Sequence, residues 1–346
     1  MPEREMTTDR QAGPSGDDPA VDASGASSAS GGTLPPLAGR GRVRRGDRAF
    51  ASLTAGAGLF VVILIALVAA FLLIKAVPAI ANDKVNFLFS REWKVDGSNL
   101  RFGILGLLWV TVIISFVAMV LAVPLSIGIA LFITQYAPKQ LVRPVAYVID
   151  LLAAIPSIIY GVWGIIVLAP YLEPVQRMLY RLGFLRVFEN AGISSGTIFN
   201  GGVVVAIMIL PIVTAIARDV FERTPTEHIE AAWALGATKW EMIWLAVLPH
   251  GRPGLISGAM LGLGRALGET IAIYLIVSRS GEDARFSFSI FSNGETFASK
   301  IANNAAEFND PKQTGAYIAA GLALFVLTFA VNAAARAVVN RRREFS

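Results

Sequence analysis

Apolar residues in this chain gather into six long blocks separated by polar stretches. The blocks cover Phe50–Ile74, Ile104–Ile133, Val145–Leu168, Ile198–Ala217, Leu255–Val277 and Gly315–Val339. At about 1.5 Å of rise per residue, each is long enough to cross roughly 30 Å of hydrocarbon. In lipid the backbone must bond to itself, so blocks of this length are predicted to be helices. The expected fold class is therefore an all-α membrane protein with six transmembrane helices, and six crossings place both termini on one side. The first block ends near Ala79-Ile80-Ala81, which has the small-residue look of a leader cleavage site. A leader's apolar core is only about 7–15 residues long and follows a short basic region. This block is longer and begins deep in the chain, so it reads as a retained span.

Composition sharpens the picture. Of the residues, 54% are hydrophobic and only 16% charged, with a mean hydropathy of +0.59; a soluble domain carries about 25% charge. Cysteine is absent, which excludes disulfides, thiolate nucleophiles and cysteine metal sites. The two histidines, His228 and His250, are too few for a histidine-rich metal centre. The net charge of +5 gives no case for nucleic acid, because basic residues near span ends chiefly set orientation. Residues 1–39 are rich in Gly, Ser, Ala, Pro and Asp and are expected to be disordered. With the basic cluster Arg40, Arg42, Arg44, Arg45 and Arg48 they form a tail over 1–48, ahead of a six-span domain over 49–343. Fifteen Lys and Arg flank the spans on the side of the termini and eleven on the other, so both termini are expected in the cytoplasm. The outer loops are then about 75–103, 169–197 and 278–314, and the largest inner loop is 218–254.

That inner loop is patterned. Thr226 is placed to cap a helix whose first turn carries Glu227 and Glu230. Gly236 permits a sharp turn, and Thr238 with Glu241 has the spacing of a capping box. Pro249 and Pro253 are expected to break the chain before the fifth span. Two short helices joined at a glycine suit docking into a groove of a soluble partner, and they equally suit resting on lipid headgroups; periodicity leaves both readings open. Charges inside the spans pose a second question. Arg265 and Glu269 fall near the middle of the fifth block, where a charge costs about 2.5–3.5 kcal/mol on insertion scales. Four residues apart, they are expected to share a helix face. Either they neutralise each other or they serve a path for an anion, to which an arginine offers a planar fork of donors. Asp150 is expected to pair with Arg143 or another inner arginine. Pro156 marks a kink, followed by Ser157 and Tyr160 as a candidate gating hinge; Pro124 and Pro211 read as ordinary kinks.

The residues also carry a resemblance. Glu230-Ala231-Ala232, then Gly236, then Leu248-Pro249 closely resembles the loop by which membrane subunits of binding-protein-dependent ABC importers engage their ATPase. Gly262-Leu263-Gly264-Arg265-Ala266-Leu267-Gly268-Glu269-Thr270 resembles the fifth span of phosphate permease subunits of PstC type, and Ala154–Gly161 resembles the third-span motif shared by phosphate permeases. The likeness covers roughly residues 50–340, and the neighbouring possibilities are PstA-type subunits and sulfate or molybdate permeases. It implies a type I importer permease fold, with Glu230, Ala231, Ala232, Gly236 and Pro249 coupling to the ATPase. It places Arg265, Glu269, Ser157 and Tyr160 on the translocation pathway. It implies as partners a PstA-type permease in a heterodimer, a PstB-type ATPase dimer, a PstS-type phosphate-binding protein and membrane lipid, with no nucleic acid. The chain contains no GxxxxGK[ST] phosphate loop, so ATP and Mg are expected on the partner ATPase, with no cofactor bound here and no enzymatic activity of its own.

Overall fold

The computed structural model describes residues 45–95, 100–181, 196–277, 287–305, 308 and 311–343. The disorder expected over residues 1–39, and Arg40, Arg42 and Arg44 of the basic cluster, lie outside them. The chain divides into two units, Met1–Leu59 and Phe60–Ser346. The described part of the first is the opening of helix α1 (Arg45–Ala81), so helix begins a few residues ahead of the boundary expected at 49.

The described part of the second unit is mostly helical. A two-residue antiparallel ribbon, β1 (Trp93–Lys94) and β2 (Arg101–Phe102), precedes α2 (Leu105–Leu131), which runs on through a π-helical turn at Phe132–Tyr136. Then come α3 (Lys139–Ala154), α4 (Ser157–Trp163), a π turn at Gly164–Leu168 and α5 (Ala169–Arg181). They are followed by α6 (Ile198–Glu222), α7 (Thr226–Ala234), α8 (Lys239–Met242), a π turn at Ile243–Val247 and α9 (Leu248–Leu267). The last helices are α10 (Ile271–Val277), α11 (Phe297–Asn303) and α12 (Pro311–Arg343). Among the described residues five helices are long and apolar enough to cross a membrane, and the pair Lys239–Leu267 and Ile271–Val277, bent by 57° at a short break, counts as a sixth when taken as one span.

Three boundaries differ from expectation. The third block is not one helix. Proline disfavours the helical region for the residue before it, and Ile155 is extended, at φ −68° and ψ 129°. The crossing therefore runs over Ser157–Arg181, displaced toward the C-terminus, and α3 is a separate amphipathic helix ahead of it. Pro249 and Pro253 do not break the chain, since helix is continuous from Lys239 to Leu267. The π turn at Ile243–Val247 widens the helix just before Pro249, where an α turn would call for the N–H that proline lacks. Finally, the fifth block is interrupted at Gly268–Thr270.

The core is built on α6. Gly251, Gly254, Gly258 and Gly262 of α9 lie against Phe221, Val220, Ile216 and Val213, and a methyl group at Gly254 would fall 2.3 Å from Val220 Cγ2. Small residues at such a seam let backbones approach where lipid supplies no hydrophobic drive between helices. Across the opposite seam the Ser126 hydroxyl of α2 donates to the Leu210 carbonyl at 3.1 Å. Ile114, Val204, Ile209, Ile273 and Ile276 are fully buried where α2, α6 and α10 meet. The apolar side chains of α1 behave differently. Leu67 is 62% exposed and Phe71 54%, and α1 packs within this unit chiefly through Ala76 and Ala79, which meet Ala316, Tyr317 and Ala319 of α12.

Candidate functional site

Two helix breaks lie side by side. At the first, Pro156 cannot donate to the carbonyl four residues back, that of Leu152. The Tyr160 hydroxyl takes over and donates to this oxygen at 2.8 Å, while the Ile155 N–H reaches it at 3.4 Å. At the second, α9 ends at Leu267. The Thr270 hydroxyl donates to the Gly268 carbonyl at 3.1 Å, and the Glu269 carboxylate accepts from the Ala272 N–H at 3.3 Å. Glu269 is thereby a buried carboxylate, only 8% exposed, capping the first turn of α10. Acidic groups favour that end of a helix.

The half-helices beyond the breaks pack in parallel. Gly161 of α4 meets Ala272 and Leu275, and Gly164 meets Ile276. A methyl group at Gly161 would lie 2.9 Å from Ala272 Cα, so only glycine permits this approach. The register sets the Pro156 break level with that at Gly268–Thr270. Tyr160 is buried in the same core cluster as Ala272 and lies within electrostatic reach of Arg265. Ser157, half-buried, is the first residue of α4.

Arg265 does not share a helix face with Glu269 as expected, because the break intervenes. The two form no ion pair among the described residues. Arg265 instead opens onto a cleft of about 830 Å³ between α6, α9 and α12. The sequence reading missed the other polar groups of this cleft, Ser257 of α9 and Asn332 and Arg336 of α12. Their signal is the pair of polar residues four apart within the last apolar block. Asp150 and Arg143 are both exposed and form no ion pair among the described residues, against expectation.

The residues expected to couple to an ATPase sit elsewhere, Glu230, Ala231, Ala232 and Gly236 on the hairpin of α7 and α8 and Pro249 at the start of α9. Thr226 is not the cap; Pro225 holds that position and Thr226 is the first helical residue. At the far end the Ala237 N–H donates to the Ala232 carbonyl at 3.1 Å and the Gly236 N–H to that of Trp233 at 2.9 Å. This paired closure demands a left-handed residue just past the helix, and Gly236 has φ +79°. The four-residue spacing from the second alanine to the glycine is thus the spacing of a helix stop. Ala232 is buried among Phe221, Met242, Ile243 and Val247, whereas Glu230, Ala231, Gly236 and Pro249 are exposed. The Thr238–Glu241 capping box forms as expected. Lys239 Nζ lies 4.6 Å from the Tyr136 ring centre, tying the hairpin to the end of α2. Trp233, Leu235, Trp240, Trp244 and Leu245 all remain more than half exposed beside it. Among the described residues no group of acidic and histidine side chains is arranged to hold a metal.

Comparison with known proteins agrees with this architecture. A solved chain from the inward-facing MetNI methionine ABC transporter superposes with a TM-score of 0.50 at 16% identity, over 68% of this chain and 94% of that one. At that identity the likeness bears on the fold alone. Among curated proteins, the phosphate transport system permease protein PstC 2 of Mycobacterium tuberculosis is 53% identical over 86% of this chain and 93% of its own length. PstC of Mycobacterium leprae is 53% identical over 79% and 87%, and PstC of Mesorhizobium japonicum 38% over 85% and 90%. Residues 122–344 match the family model of binding-protein-dependent transport system inner membrane components. With a bundle of membrane-crossing helices, a glycine-closed hairpin at one end and relatives at this identity over most of its length, the chain belongs to that family.

Proposed function

We propose that this chain is the membrane-spanning permease subunit of an ATP-driven phosphate importer and forms half of its translocation pathway. The reading is supported by the names of relatives that match over most of the chain. The observation that carries it is Arg265, a guanidinium at the end of a membrane-crossing helix that opens onto a cleft. A fixed cation in hydrocarbon is costly unless it faces a watery path or a counter-ion, and its fork of donors matches phosphate oxygens. Glu269, one turn further on but turned into α10, moderates the positive field and so favours release over trapping. Tyr160 and Ser157 shape the neighbouring break.

The hairpin of α7 and α8 lies on the cytoplasmic side together with both termini, and docks in a groove of a PstB-type ATPase. A PstA-type permease completes the pathway, and a PstS-type phosphate-binding protein delivers the anion from outside. ATP, with Mg, is hydrolysed by the ATPase; closure of its dimer pushes on the hairpin, and the spans rock between inward-open and outward-open arrangements.

The test is uptake of radiolabelled phosphate and sulfate in cells that lack the native permease and express this chain with its partner subunits. Wild type should restore phosphate uptake alone. Arg265→Gln should lower it at least tenfold with assembly intact, and Glu269→Gln should lower it less. Restored sulfate uptake would reassign the anion, and normal uptake by Arg265→Gln would remove that residue from the path.

A further inference from the structure

The cleft that Arg265 enters extends well past it. Along α9 its lining runs from Arg265 through Ser257 to Pro253, twelve residues and about 18 Å of helix. The facing wall is α12, which contributes Asn332 and, one turn on, Arg336. Two guanidiniums thus line one cleft, separated along the span, and no carboxylate lines it. Neither arginine takes part in an ion pair among the described residues. The nearest acidic groups on α6, Asp219 and Glu222, are engaged by Arg223 at 3.0 Å and Arg218 at 3.8 Å. The charged side chains that line the cleft are therefore both positive, and an amide and a hydroxyl add neutral donors.

We propose that the Arg336 end of this cleft is a second oxyanion site, in which Arg336 binds a phosphate group with Asn332 and Ser257 completing its hydrogen bonds. The inference rests on the permease reading for its direction: the site receives the anion after Arg265 and hands it to the side that bears the α7–α8 hairpin. Two modest stations in series pass an ion where a single deep one would hold it. Arg336 supplies a bidentate fork, and Asn332, on the same face of α12, presents its amide beside it. The bound group is either free phosphate in transit or the phosphate of a lipid headgroup, which share this chemistry.

The absence of cysteine allows a direct test. Ala335 lines the cleft beside Arg336, and Ala335→Cys gives this chain a single thiol there. In the complete transporter, reconstituted in vesicles, the rate at which a negatively charged methanethiosulfonate modifies this cysteine is followed by mass spectrometry of the chain. Millimolar inorganic phosphate should slow modification several-fold. Arg336→Gln should abolish the protection, and Arg336→Lys, which keeps the charge but not the fork, should retain part of it. Protection by phosphate in phosphatidylcholine vesicles identifies the free anion. Protection that appears only when phosphatidylglycerol is added, and ignores inorganic phosphate, identifies the headgroup. Protection by neither, or protection unchanged in both Arg336 variants, overturns the site. Phosphate uptake measured on the same vesicles judges the permease reading separately: uptake without protection sinks the cleft site alone, and protection without uptake sinks the permease reading alone.

Discussion

At the scale of single residues, a proline in a membrane helix leaves a carbonyl without its donor, and lipid offers no water to replace it. Tyr160 answers that need by returning its hydroxyl to the Leu152 oxygen. The bond also pins the turn on either side of the break, so Tyr160 acts here as a strut between α3 and α4. Tyr160→Phe keeps the ring packing and removes the donor. The loss of one buried hydrogen bond should destabilise the purified complex by about 1–2 kcal/mol, seen as a lower melting temperature. An unchanged midpoint would mean the Leu152 carbonyl finds another partner. None of this pairing was legible in the sequence, where Pro156 advertised a kink but nothing named the side chain that would repair it. The same holds for Arg265 and Glu269. Their spacing is helical, and only the Gly268–Thr270 break, a three-dimensional event, turns one into the cleft and the other into a cap.

Secondary elements show where pattern succeeds. The α7–α8 hairpin was readable almost atom by atom, because its stop and its capping box are local chemistry. Even so, the cap of α7 fell one residue early, on Pro225. The Thr238 N–H and then its hydroxyl hold the exposed Glu241 carboxyl below its usual range. A carboxylate lowered in the folded state stabilises above its unfolded value, and that contribution is lost as pH falls through the lowered one. Hydrogen exchange at the start of α8 should therefore quicken in the acid range below the ordinary glutamate value. Glu241→Gln should exchange faster at neutral pH and lose this acid dependence. Equal acid dependence in both proteins would assign the transition to another group. The seam between α6 and α9 makes a second demand. Gly254→Leu places a side chain where a single methyl already meets Val220 at 2.3 Å. The helices must separate, and overpacking of this kind costs about 1–3 kcal/mol; a lower yield of folded complex than for Gly264→Ala, whose added methyl meets open space, would show it. Block length correctly announced six crossings, but it misplaced the third, because apolar content does not distinguish an amphipathic helix ending at a proline from the span that follows it.

For the molecule as a whole, the proposed transport cycle requires that the hairpin be linked to the paired breaks. The hairpin is anchored in a cluster with Ala130 of α2 and Ala217 and Phe221 of α6, so a push on it is delivered to the two central helices rather than to a loose loop. Its exposed face is where the proposed ATPase partner would engage. Glu230→Lys reverses a charge there without touching the buried side. ATP hydrolysis by the complete complex should continue while phosphate uptake falls severalfold, and full uptake would sink the docking assignment. The contact between Ala76 and Ala79 of α1 and Ala316, Tyr317 and Ala319 of α12 has a different kind of consequence. These small side chains are where α1 touches α12, while the apolar side chains earlier in α1 stay exposed. Because α1 is held chiefly there, most of its apolar length is left to lipid or to a neighbouring membrane subunit, and bulkier residues at Ala76 or Ala79 would loosen it where like-sized substitutions at Leu67 or Phe71 would not.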